Sequence, residues 1–479
     1  MQWETVIGIE IHVRLNTQSK LFSSASTDVG AIPNSNACAV DLGLPGVLPV
    51  FNQAALNLAI RFGLSIDAQI AAISSFARKN YFYPDIPKGY QISQLDQPIV
   101  GKGHIDIQLD DTCKRIGITR AHLEEDAGKS VHDYFENASG IDLNRAGTAL
   151  LEIVSEPDLR SAKEAVAYIK TLHQLVRYID ISDAQLQEGG FRCDINLSVR
   201  PQGQDTLGIR TELKNLNSFR FIERAILFEQ QRQIDVLSRG GTVVQETRLY
   251  DPERDETRPM RQKEEAQDYR YFPDPDLLPI HVDAATIEEI RQALPELPNK
   301  KAQRFVQAYQ LSEIQAKTLV QERATSEYFE AVLKQGDSLH PSKVAHWITI
   351  DLTALLNSQQ CAINDCPITP KKLSELLNAV AAQTISQAAA KKVMEHLWAH
   401  PTVSVATSIE TLGLAQLSDH DQLNEIIDQI IHAHPDMVTS FRAGKTKLLA
   451  FFVGQVMKAT KGKANPSTVN AILSQKLNK

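Results

Sequence analysis

Along the opening segment, Ile7, Ile9, Ile11, Val13 and Leu15 alternate with Gly8, Glu10, His12 and Arg14. A period of two puts the apolar set on one face of a strand and leaves Glu10 and His12 sharing the other. The alternation returns in DINLSVR, where Ile195, Leu197 and Val199 oppose Asp194, Asn196, Ser198 and Arg200. It returns again in GIRTELK, where Ile209, Thr211 and Leu213 oppose Arg210, Glu212 and Lys214. Strands with one polar face imply an antiparallel or mixed sheet whose apolar face is covered by other elements.

Helical spacing supplies the cover. Ser161 followed by Glu164 reads as a capping box, and Val166, Ile169, Leu172, Val176 and Ile179 then recur at helical intervals. A second helix is expected from Asn217 or Ser218 to about Leu237. Pro273, Pro275, Pro279, Pro295 and Pro298 punctuate the next stretch, and beyond it strand-like alternation gives way to helical periodicity. The expected fold is therefore an α+β N-terminal domain with a mixed or antiparallel sheet, followed by two all-α domains. The boundaries are drawn at 1–293, 294–403 and 404–479, the second of them at a break in HPTVS.

Composition changes this picture little. Hydrophobic residues make up 43% and charged residues 23% of the 479, an ordinary globular balance. No apolar run approaches the roughly 20 residues that cross a bilayer. The N-terminal residues resemble no targeting leader, so a cytoplasmic protein is expected.

Charge changes it more. The formal net charge is −8, yet from Met437 onward there are eight basic residues and no acidic one, which leaves −16 for the rest. Lys445, Lys447, Lys458, Lys461 and Lys463 belong to that tail. A basic end on an acidic body suits a protein that touches phosphates at one end and handles cations at the other; a solvated lysine-rich surface accounts for the same charge.

Two segments, AGKS at 127–130 and AGKT at 443–446, contain the core of a phosphate-binding loop. Both lack the glycine five positions before the second glycine, where Leu123 and Thr439 stand, so neither is a P-loop. A carboxylate-rich set is more informative: Glu10, His12, Glu124, Glu125, Asp126, Glu152, Glu188 and Asp194. Oxygen ligands with at most one imidazole suit a hard cation such as Mg²⁺ better than Zn²⁺. In ETRLYDPERDETRPMRQKEEAQDYRYFPDPD, Arg248 and Arg270 are candidates for phosphate oxygens, whereas Arg254 reads as an exposed ion pair. The five cysteines are scattered without a CxxC, and Cys193 has no neighbouring histidine, so no nucleophile stands out.

The stretches WETVIGIEIHVRL, KNYFYPDIPKGYQISQ, HLEEDAGKS, NRAGTALLEIVSEPDLRS, QEGGFRCDINLSVRP, RTELKNLNSFRFIERA and DYRYFPDPDLLP resemble signatures of the B-subunit family of tRNA-dependent Asp/Glu amidotransferases. The segment FRAGKTKLLAFFVGQVMKATKGKANP is similar to that family's YqeY-like tail. The resemblance runs the length of the chain in the right order. It implies a catalytic cradle domain, a helical domain and a tRNA-binding tail, working in a heterotrimer with an amidase partner and a small third partner. It also implies that ATP phosphorylates the side-chain carboxylate of misacylated Glu-tRNA(Gln) or Asp-tRNA(Asn) before ammonia from the amidase displaces phosphate.

Carried over by position, the family's Mg²⁺ site falls on Glu10, His12, Glu125 and Glu152, with Asp194 at a second metal or on the ammonia path. Lys79, Lys88 and Glu125 match the ammonia path and its gate. Arg210 and Glu212 join the catalytic set, and Lys214, Arg248 and Arg270 the ATP site. Where some members carry a cysteine zinc knuckle, only Cys38 remains, so zinc is not expected. Two other readings stand beside this one, a non-catalytic tRNA-binding scaffold and a metal-dependent hydrolase. The first has no need of carboxylates on several strand faces, and the second lacks a HExxH pair.

Overall fold

In the computed structural model the alternating segments become the middle of one large sheet. Residues 2–110, 112–131, 138–262, 268–336, 339–415, 420–460, 464 and 466–478 are described. Lys461 and Lys463 of the basic tail lie outside them, and the chain forms two compact units, Met1–Leu297 and Pro298–Lys479.

The first unit holds a sheet of eleven strands. In chain order these are β1 (Trp3–Arg14), β2 (Ala77–Asn80), β3 (Tyr90–Ser93), β4 (Gly103–Leu109), β5 (Thr112–Glu125) and β6 (Ala149–Ser155). There follow β7 (Phe191–Pro201), β8 (Thr211–Lys214), β9 (Glu246–Asp251), β10 (Glu256–Gln262) and β11 (Phe272–Pro273). The order across the sheet is β10-β9-β8-β7-β1-β6-β5-β3-β2-β11, with β4 paired to β5 beside this path. The sheet is mixed as expected, because β8 and β9 run parallel while the β1, β6 and β7 pairings are antiparallel.

Register decides what faces what. His12 of β1 stands opposite Arg192 of β7 on one side and Glu152 of β6 on the other. Glu152 in turn stands opposite His122 of β5, and Glu10 opposite Asp194. A slip of one residue would turn every member of these rows to the other face.

The opposite face is the core. Ile7, Ile9, Ile11 and Val13 are buried there with residues of three helices, α1 (Gln53–Ser65), α2 (Ala162–Tyr178) and α3 (Phe219–Ser238). Ile169, Leu172 and Val176 supply the stripe of α2, and Ile222, Ala225 and Ile226 that of α3. Each of the Ile, Leu and Val side chains contributes about 1.5–3 kcal/mol by leaving water. The α2 cap differs from the expected box in one detail. Ser161 accepts from the Glu164 N–H, but the Glu164 carboxylate accepts from the Arg160 N–H (2.7 Å) and pairs with Lys114 of β5 (2.7 Å). The cap thereby also fastens the helix to the sheet. The α3 cap is Ser218.

The second unit is helical throughout its regular elements. One cluster gathers Phe305, Phe329, Trp347, Leu377 and Leu397, and another Leu423, Ile427, Phe452, Val456 and Leu473. Lys445, Lys447 and Lys458 are exposed beside the latter. No helix among the described residues is long and apolar enough to cross a membrane.

Candidate functional site

The polar rows of the central strands converge on His12. Its Nε2 lies 3.2 Å from Glu124 Oε1, 3.4 Å from Glu152 Oε2 and 3.8 Å from Glu10 Oε1. His122 reaches the same Glu152 oxygen at 3.4 Å. Two overlapping sets, Glu10/His12/Glu152 and His122/Glu124/Glu152, each hold their donor atoms within 4.8 Å of one another. His122, Glu124 and Glu152 are buried, and His122 Nδ1 has no hydrogen-bond partner among the described residues.

Gathering two buried carboxylates and a half-buried third around one imidazole is electrostatically costly unless positive charge is near. Burial disfavours the charged form of His12, but its hydrogen bonds to Glu124 and Glu152 outweigh that and hold it well above the usual histidine range. Burial also penalises the Glu152 carboxylate, yet His122 and His12 hold it well below its usual range. Glu10 goes the other way, pushed up by burial and by the Glu152 charge. The cluster thus carries surplus negative charge that a proton on His12 offsets only in part. A set of carboxylate oxygens with imidazole nitrogens at the margin fits a hard divalent cation, which would replace that proton.

Lysines border the cluster. Lys214 of β8 donates to Asp194 (2.5 Å) and lies 3.4 Å from Glu212, whose other oxygen accepts from Thr247 (2.6 Å). Burial lowers the Lys214 ammonium, but Asp194 and Glu212 more than restore it and raise its pKa. Lys79 of β2 is likewise lowered by burial and raised on balance, chiefly by Glu124. Its ammonium sits 4.9 Å from the centre of the Tyr269 ring.

Several expected site residues stand elsewhere. Glu125 follows Glu124 and so points away from His12; its carboxylate takes the Lys88 ammonium and the Ile92 N–H (2.8 Å). The two form one wall of a cleft also lined by Asp41, Tyr90 and Asp126. Asp41, with buried Lys20 (3.0 Å), Ser23 Oγ and the Cys38 N–H, ties down the loop that follows β1. A Cβ on Gly43 of that loop would stand 2.7 Å from Lys88 Cγ, so the loop rests directly on the lysine stem. Arg248 is turned inward, bonded to Glu246 and Thr257, with Glu229 of α3 at 3.3 Å. That position gives it no open side for a phosphate. Arg210 and Arg270 are exposed, and among the described residues neither is ion-paired to the His12 cluster.

His122 carries no signal of its own in the sequence, although it stands two residues before Glu124 and therefore on the same strand face. Cys193 is no nucleophile on this geometry, since burial and then Asp194 push its thiol up to about 12.

A family model described as the GatB/GatE catalytic domain matches residues 5–288, the span that contains all of this machinery, and one described as the GatB domain matches residues 327–477. The chain belongs to the GatB family. The B subunit of an aspartyl/glutamyl-tRNA(Asn/Gln) amidotransferase of Coxiella burnetii (strain CbuG_Q212) is 58% identical over 478 residues, 100% of both chains. Proteins of the same name from Nitrosococcus oceani and Thioalkalivibrio sulfidiphilus are each 56% identical over the same full length. The likeness to these GatB-family proteins is thus continuous through strands, helical unit and tail.

Proposed function

We propose that this chain is the B subunit of a tRNA-dependent amidotransferase, the ligase component that activates and amidates the side-chain carboxylate of Glu-tRNA(Gln), Asp-tRNA(Asn) or both. The observation that carries the reading is the buried carboxylate and imidazole cluster around His12, with lysines at its border. A scaffold has no use for such a cluster, and a carboxylate at neutral pH needs activation before an amine can attack it.

In the first step a carboxylate oxygen attacks the γ-phosphorus of ATP, the bond to the ADP oxygen breaks, and an acyl phosphate forms. In the second, ammonia attacks the acyl carbon and phosphate leaves with the bonding pair. Glu10, His12, Glu124 and Glu152 would hold Mg²⁺, which when bound neutralises charge on phosphate oxygens. Lys214 and Lys79, kept protonated by their carboxylate neighbours, add fixed positive charge at the border of the site. The Lys88–Glu125 pair in the adjoining cleft suits a gate for ammonia, because the paired groups form one wall of the cleft and their separation would open a polar path. Ammonia would come from an amidase partner in a heterotrimer with a small third protein, in the cytoplasm. Residues 294–403 would form a helical spacer and 404–479 the basic tRNA-gripping tail.

The test is reconstitution with the amidase and the small third partner, measuring ATP cleavage and amide formation on both misacylated tRNAs. ATP cleavage that rises only when a misacylated tRNA is present supports the reading. Amidation that proceeds unchanged without ATP, or ammonia release from glutamine by this chain alone, overturns it.

A further inference from the structure

Beyond the carboxylate cluster, along the same face of the sheet, lies a set of aromatic side chains that the chemistry above does not use. Ala77, Ser93 and Glu124 lie in one row across β2, β3 and β5, so Lys79, two residues along β2, shares the face of Glu124. Leaving β2, the chain reads Asn80, Tyr81, Phe82, Tyr83. A second segment, Tyr269, Arg270, Tyr271, Phe272, runs beside it.

The two are clamped by one residue, through its backbone and its side chain. The Asn80 N–H donates to the Tyr269 carbonyl (2.9 Å), and its Nδ2 donates to the Arg270 carbonyl (2.8 Å). Their rings interlock edge to face. Tyr81 meets Tyr269 and Tyr83 at centroid distances of 6.0 Å each, and Tyr269 meets Tyr271 at 6.1 Å. Lys79 spans the inner side, 4.9 Å from Tyr269 and 5.9 Å from Tyr81.

Tyr81, Tyr269 and Tyr271 are half-buried, and the rings at their edge are open to solvent. Phe82 is 87% exposed, Tyr83 52% and Phe272 44%. Gly89 leaves room for the Phe82 ring, since a Cβ there would stand 3.2 Å from it. Arg270, exposed between two tyrosines, brings positive charge to the rim. A single exposed aromatic needs no explanation, but a clamped, interlocked set that opens outward beside a reactive cluster does. Rings with free faces next to a guanidinium are the usual means of holding an unstacked base without reading its edges.

We propose that Tyr81, Phe82, Tyr83, Tyr269 and Tyr271 form a stacking platform for the unpaired terminal base of the tRNA acceptor strand. It holds the aminoacylated end so that the attached carboxylate reaches past Lys79 to the His12 cluster. Openness favours this occupant over the adenine of ATP, because a strand end must continue outward to a macromolecule, whereas a free nucleotide is ordinarily enclosed. The proposal rests on the function proposed above.

The experiment uses the full chain with its partner proteins and compares F82A/Y83A and Y83F variants with the unaltered protein. Three quantities are read: Kd for intact uncharged tRNA(Gln), Kd for the same uncharged RNA lacking its terminal nucleoside, and KM for ATP in amidation of Glu-tRNA(Gln). The expectation is that F82A/Y83A weakens intact tRNA binding by about 5- to 100-fold, as loss of base stacking does. The truncated RNA should bind all forms alike, ATP KM should move less than about twofold, and Y83F should keep intact binding. An unchanged preference for intact over truncated RNA in F82A/Y83A overturns the platform, as does a rise in ATP KM with tRNA binding untouched. If the unaltered complex binds tRNA with full base dependence yet forms no amide, the functional reading fails while the platform stands.

Discussion

Two of the buried polar clusters in the first unit are built on opposite electrostatic plans. Between α3 and the edge strands, Glu229 is fully buried and accepts from Thr211 (2.8 Å), Thr257 (2.9 Å) and Arg232 (2.7 Å), with Arg248 beside it. Burial raises the Glu229 carboxyl, but Arg232 and the hydrogen bonds overcome this and lower its pKa. Around His12, by contrast, Glu10, Glu124 and Glu152 have two imidazoles between them, and one imidazole nitrogen is unpartnered among the described residues. A self-neutralised network fastens elements together. A cluster left short of positive charge has room for it from a ligand, which is the role the function proposed above gives it.

The largest effect is expected at the neutral network. Glu229→Ala should cost about 3–5 kcal/mol in urea unfolding, because it strands the Arg248 and Arg232 charges. Replacing both partners, with Glu229→Met and Arg248→Leu, should cost clearly less than the single change. The pH dependence has a definite sign. A carboxyl lowered in the folded state stabilises above its unfolded pKa and loses that contribution as pH falls through the folded one. The gap between wild type and Glu229→Gln should therefore narrow on acidification, and a gap that widens would overturn the pairing.

At the His12 cluster the order of effects reverses. Glu10→Gln, at the carboxyl that burial and the Glu152 charge push up, should lower the amidation rate by about 100-fold, near 2.7 kcal/mol, across a Mg²⁺ titration. Thermal stability without metal should be equal or higher, since a repelling charge has gone. If stability and activity fall together, the cluster is a second structural network and the comparison breaks.

A smaller effect concerns Cys193, which lies on the core face of β7. With its thiol held near 12, it should resist iodoacetamide at pH 8 while exposed Cys113 reacts, and Cys193→Ser should keep activity within about threefold. Rapid alkylation of Cys193 in the native protein would return it to consideration as a nucleophile. The smallest effect is in the tail. Changing Lys445, Lys447 and Lys458 to Gln should reduce the slope of log K against log salt for tRNA binding by about 0.7–0.9 for each phosphate no longer neutralised. An unaltered slope would make the tail a solubilising surface.

Much of the first unit was legible in the chain. Alternation is a local property, so it located β1, β7 and β8 and put Glu10 with His12, Asp194 with Asn196, and Glu212 with Lys214. Serine caps and helical spacing located α2 and α3, because the capping bond reaches only three residues. Family resemblance indicated the chemistry those faces would serve.

Other assignments needed the fold. Alternation separates Glu124 from Glu125, but only the pairing of β5 with β6, and of β6 with β1, decides which of them meets His12. The same pairing brings in His122, whose sequence neighbours reveal a strand but not a partner. Arg248 belongs to an arginine-rich stretch that looked suited to phosphate, and packing against Glu229 of α3 turned it inward instead. Local spacing sets which residues share a face. Which faces meet is set by long-range register and by the cost of burying an unpaired charge, and both arise only when distant segments are brought together.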